Sequence, residues 1–94
     1  NGVIVVDHGA AEALLRLGKS LLPVGVKSVS GKFKIGDIVS VNTEKGETIA
    51  QGLAEYDFKQ LEKIIGLVKS EIIEKLGEKG FRVAMHRDNL VLLD

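Results

Sequence analysis

The stretch Gly18-Lys19-Ser20-Leu21-Leu22-Pro23-Val24-Gly25-Val26, followed by Gly31-Lys32-Phe33-Lys34-Ile35-Gly36-Asp37, decides the fold of this chain. It reads as a helix end, a tight turn framed by glycines, a strand and a second turn. Gly18 stops the helix, because a left-handed residue there meets no Cβ clash. Upstream, the β-branched run Val3–Val6 reads as a first strand. Asp7 is placed to cap a helix from about Gly9 to Leu17. In it Ala10, Ala13, Leu14 and Leu17 recur at the spacing of one buried face.

Downstream, Val24–Ser30 alternates as a strand with a polar stripe. Gly31 and Gly36 bracket a turn, and Ile38 and Val41 mark the next strand. Glu44-Lys45-Gly46-Glu47 reads as a hairpin turn, with Thr48–Leu53 as the return strand. Gly52 within it signals a bulge or a close backbone approach. From Asp57, an N-cap, the period becomes helical through Phe58, Leu61, Ile64, Ile65 and Val68, and Gly66 weakens that helix near its end. Ser70 and Glu74 miss capping-box spacing by one residue. Ile72, Ile73 and Leu76 extend a helix over Glu71–Leu76, which stops at Gly77. Phe81–Met85 and Leu90–Leu93 read as the last two strands, joined by a polar turn, His86–Asn89, whose Asp88 and Asn89 side chains bond nearby backbone. The expected fold is mainly β with flanking helices, a small α+β barrel and not a doubly wound sheet.

The 94 residues suffice for one domain, 1–94. Thirteen basic residues balance thirteen acidic ones, which argues against a strong non-specific nucleic-acid binder. No DNA partner is expected. The absence of cysteine excludes disulfides, zinc-thiolate sites and thiol nucleophiles. No apolar run approaches the length of a membrane span, and no signal peptide is evident. No membrane partner is expected, and a cytoplasmic location is the default. A start at Asn1, directly before a strand, suggests a piece of a longer polypeptide.

Several motifs invite chemistry and fail on their context. Ala13-Leu14-Leu15-Arg16-Leu17-Gly18-Lys19-Ser20 matches only a loose P-loop, which needs a strand before it and a helix after it; here the order is reversed. His86-Arg87-Asp88-Asn89 has the letters of a kinase catalytic loop, but the asparagine follows too soon and no Asp-Phe-Gly exists. His8 and His86, with Asp7, Glu12 or Asp88, have no spacing that enforces a metal site. Ser20, His86 and Asp88 lack a nucleophile elbow. No catalytic, cofactor-binding or metal-binding residue is therefore assigned. Arg16, Lys19, Lys27, Lys32 and Lys34 cluster in sequence, but the chain has few aromatics to stack bases: Phe33, Phe58, Phe81 and Tyr56, of which Phe58 and Phe81 occupy core-like positions.

The glycine-framed stretch, with Gly36-Asp37-Ile38-Val39, resembles the PUA domain, a β-pseudobarrel module of RNA-modifying enzymes. Ser20-Leu21-Leu22-Pro23-Val24-Gly25 and His86-Arg87-Asp88-Asn89-Leu90-Val91-Leu92 narrow the resemblance to the C-terminal PUA module of the bacterial glutamate 5-kinase family. Val5-Val6-Asp7-His8-Gly9-Ala10, Ile49-Ala50-Gln51-Gly52-Leu53 and Tyr56 fit the same pattern, while Asp57-Phe58 departs from the Ser-Ser usual after that tyrosine. The resemblance implies a parent enzyme that phosphorylates the γ-carboxylate of L-glutamate with ATP and Mg²⁺, the committing step of proline biosynthesis. Its sites would lie in an upstream amino-acid-kinase domain. This chain would be a non-catalytic module acting in regulation or assembly, with that domain as its partner. A second implied function is RNA binding, through the first helix and the glycine turn: Arg16, Gly18, Lys19, Ser20 and Lys27. A third reading is docking or homo-oligomer formation through apolar residues of Leu90–Leu93 on an edge strand.

Overall fold

The computed structural model describes residues 2–93; the outermost residues of the expected 1–94 unit, Asn1 and Asp94, lie outside them. Five strands form one mixed sheet: β1 (Val3–Val6), β2 (Val26–Ser30), β3 (Ile38–Thr43), β4 (Thr48–Ala54) and β5 (Met85–Leu92). Their order across the sheet is β2-β1-β3-β4-β5. β1 runs parallel to β3, and the other neighbours are antiparallel. Three helices flank the sheet: α1 (His8–Leu17), α2 (Phe58–Ile64) and α3 (Lys69–Leu76). The curved sheet closes on itself where Leu21 meets the start of β5. Leu21 N–H donates to the Met85 carbonyl at 2.9 Å, and Ala84 N–H donates to the Leu21 carbonyl at 2.7 Å. This is the expected pseudobarrel.

The core lies between the sheet and the helices. Ile4, Val6, Val39 and Val41 alternate inward from the central strands, and Leu61, Ile64 and Ile72 cover them from α2 and α3. Phe33, expected only in a turn, is fully buried and meets Phe58 edge-on at 6.4 Å. Phe58 and Phe81 are only half-buried and pack against this core from its rim.

Several local expectations are corrected. On α1 the buried residues are Ala11 and Leu14, while Leu17 is 65 % exposed. Ala10 packs against the core beside them, half-buried, so the face that α1 buries is its Ala10-Ala11-Leu14 side. Pro23–Gly25 forms a 3₁₀ turn, so β2 begins at Val26. The helix starting at Asp57 stops at Ile64, because Gly66 takes φ +75° and its N–H is drawn to the Pro23 carbonyl. Its cap is a full box, with Gln60 N–H bonded to Asp57 Oδ1 and Asp57 N–H bonded to Gln60 Oε1. α3 has half a box: Glu71 Oε1 accepts from Val68 N–H, and the Val68 side chain has no oxygen to accept the Glu71 N–H in return.

The final two strands are one strand with a bulge. Gly52 opposes Leu90 and Ala54 opposes Met85, so Leu53 alone faces the four residues His86–Asn89. Phe81–Ala84 is irregular. Gly52 is the close approach expected of it: a Cβ there would strike Met85 Sδ and lie 2.6 Å from the Asn89 carbonyl oxygen. Within the bulge the side chain that bonds backbone is His86, whose Nδ1 accepts from Asp88 N–H at 3.1 Å, while the Asp88 carboxylate lies 3.9 Å from the Arg87 guanidinium instead.

Candidate functional site

α1 and the turn after it form the walls of a cleft of about 330 Å³. Asp7 sets its floor. One carboxylate oxygen accepts from Ala10 N–H at 2.7 Å and caps the helix, while Asp7 N–H donates to the Gly25 carbonyl at 3.0 Å. Gly25 lets the helix settle onto the turn, since a Cβ there would lie 2.5 Å from the Ala10 Cβ. Ala10 and Ala13 line one side of the cleft, and Leu21 and Leu22 the other. Lys19 and Ser20 stand at its polar rim. Gly18 makes this geometry by its left-handed φ of 59°, with its N–H bonded to the Ala13 carbonyl.

The five residues expected at an RNA surface divide accordingly. Lys19 and Ser20 come together at the cleft, and Gly18 shapes the turn that carries them. Arg16 is on the exposed side of α1 and pairs with Glu12 at 3.1 Å, an exposed contact of small energetic weight. Lys27 is exposed on β2, outside the cleft lining. Sequence reasoning missed Arg87. Its N–H donates to Ser20 Oγ at 2.9 Å and pins the bulge of β5 to the glycine turn. No local signal joins residues so far apart; only the pairing of Leu21 with Met85 does so.

The cleft does not fit a nucleotide phosphate. The amides of Ala13–Leu17 lie within α1, and Lys19 N–H is directed back to the Ala13 carbonyl. Among the described residues, no three His, Asp or Glu side chains gather to hold a metal ion. His8 instead lines a second hollow, of about 300 Å³, with Glu12, Glu44 and Glu47. No helix among the described residues is long and apolar enough to cross a membrane.

Tyr56, otherwise buried, lines a third hollow. Its hydroxyl accepts from Arg82 N–H at 2.6 Å and lies 2.9 Å from the Gly80 carbonyl, to which it donates. Burial pushes the phenol above its ordinary pKa, while the Arg82 N–H and guanidinium oppose that shift. The arrangement fastens the segment before β5 to the end of β4, which is a structural task.

Comparison with known proteins gives a consistent picture. The model of the PUA domain matches residues 2–76. A glutamate 5-kinase of Dictyoglomus turgidum is 50 % identical over 97 % of this chain, which covers 24 % of that protein. One of Carboxydothermus hydrogenoformans is 52 % identical over 99 % of the chain, covering 25 % of its own length. The chain thus spans about a quarter of these relatives. Among solved structures, a PUA domain of Aeropyrum pernix K1 in complex with tartrate superposes with a TM-score of 0.68 at 36 % identity, over 92 % of this chain and 41 % of that one. A chain of the archaeal box H/ACA sRNP Nop10–Cbf5 complex has a TM-score of 0.64 at 19 % identity, over 99 % of this chain and 23 % of that one. The second likeness is one of fold.

Proposed function

Because this chain belongs to the PUA domain family, we propose that it serves as the non-catalytic accessory module of a glutamate 5-kinase. The observation that carries this reading is identity of 42 to 52 % along nearly the whole chain to glutamate 5-kinases about four times its length. In that reading ATP, Mg²⁺ and glutamate bind the amino-acid-kinase part of the longer polypeptide, upstream of this module, in the cytoplasm. The module contributes to regulation or assembly in the first step of proline biosynthesis. The test compares glutamate phosphorylation by the longer kinase with and without this segment. Activity should survive its removal, with a change in inhibition by proline or in oligomeric state. Complete loss of phosphorylation in a folded truncation would sink the accessory role, and so would no change in any of the three.

One observation favours RNA binding as a second reading. The Ser20–Arg87 hydrogen bond brings a further arginine to the edge that already carries Lys19, with Arg16 on the adjoining helix. RNA phosphates would meet Arg16, Lys19 and Arg87, with the turn at Gly18 and Ser20 between them. Lys27 would lie at the margin.

A further inference from the structure

The two edges of the sheet are built differently. β2, at one end, exposes Lys27, Ser28 and Ser30. β5, at the other, runs into Leu90-Val91-Leu92-Leu93, with neither charge nor proline. Lysine, proline and inward charges are the usual means by which an edge is kept from pairing. A continuous apolar run belongs to a strand covered on both faces. Val91 is nevertheless 66 % exposed, more than any other large hydrophobic side chain described, and Leu92 is 43 % exposed.

The hydrogen bonds of β5 show which of its atoms face the open side. Leu93 N–H donates to the Ile49 carbonyl at 2.9 Å. The register sets Leu92 opposite Ala50, Val91 opposite Gln51 and Leu90 opposite Gly52. Hydrogen-bonded and non-hydrogen-bonded pairs alternate along an antiparallel ladder. Leu93 and Val91 therefore bond to β4, and the N–H and C=O groups of Leu90 and Leu92 point away from it.

We propose that this edge pairs with β5 of a second copy of the chain, antiparallel, about a two-fold axis at Val91. Leu90 then exchanges hydrogen bonds with the partner's Leu92, and Leu92 with the partner's Leu90. The two valines meet as the close pair between them, with Cα atoms about 4.5 Å apart. Outward groups placed symmetrically about one residue make the edge complementary to itself, as an isologous contact requires. The most exposed apolar side chain gains cover on the axis. The pairing is short, so the dimer is weak and concentration-dependent. This inference goes beyond the kinase reading and does not rest on it.

The test uses the chain as it stands, since its core is made from its own residues. Sedimentation of the unmodified chain should show a monomer–dimer equilibrium, and Val91→Lys should abolish the dimer while leaving the far-ultraviolet circular dichroism unchanged. The chain has no cysteine, so Val91→Cys supplies one thiol on the axis, at a Cα separation a disulfide accepts. Mild oxidation should cross-link it, and should leave Ser28→Cys, on the opposite edge, monomeric. A strict monomer at the highest soluble concentration would overturn the proposal. So would equal cross-linking at Ser28, or a dimer indifferent to Val91→Lys.

Discussion

Single residues carry the clearest consequences. Tyr56 Oη serves Arg82 N–H and the Gly80 carbonyl at once. Tyr56→Phe leaves both without that partner and should cost about 1–3 kcal/mol at neutral pH. The phenol's folded pKa lies above its unfolded value, so its contribution is whole below about pH 10. It is lost as pH rises through the folded value. The gap in melting temperature between wild type and Tyr56→Phe should therefore narrow above that pH, and thermal melts across the alkaline range would check it. The basic edge makes a separate prediction. Arg16→Ala with Lys19→Ala should weaken RNA binding, with the salt slope falling by about 1 for each lost phosphate contact. Filter-binding titrations at several salt concentrations measure both quantities, and unchanged values would remove this edge from the RNA reading.

At the scale of elements, features set by near neighbours were legible in the sequence. Asp7 and Asp57 cap the helices expected of them, and Gly18 takes the left-handed turn, because each acts within three or four residues. Features set by distant pairing were not. Nothing near His86–Asn89 says that these residues bulge; that follows from Leu53 standing alone across the ladder. Arg87 joins the glycine turn for the same reason. Leu17 has core spacing, yet it is exposed at the last turn of α1, because which face of a helix is covered depends on its distant neighbours. The candidate cleft was legible in its rim, Lys19 and Ser20, and not in its apolar walls. Gly52 is where local signal and distant pairing agree. Gly52→Ala would push a methyl into Met85 and the Asn89 carbonyl and should cost about 1–3 kcal/mol. Denaturant titration would detect it, and a neutral result would mean that the bulge yields freely.

For the molecule as a whole, one core connects the sheet to α1, α2 and α3. Such a domain should unfold in a single cooperative step. The chain has one tyrosine and no tryptophan, so fluorescence reports Tyr56 alone. Its thermal transition should coincide with that of the backbone circular dichroism. A fluorescence change at lower temperature would instead mark separate release of the Tyr56 fastening.

The position of β5 has a mechanical consequence. It follows every other strand in sequence and lies at the outer end of the sheet, held by β4 on one side and at its start by Leu21. A force that lifts Leu93 away from the sheet breaks its pairs with β4 one at a time, as a zipper opens. The same force applied through Gly2 loads β1, which is bound to β2 and β3 together. Under tension between Gly2 and Leu93, which is equal at both points, β5 therefore gives way before β1.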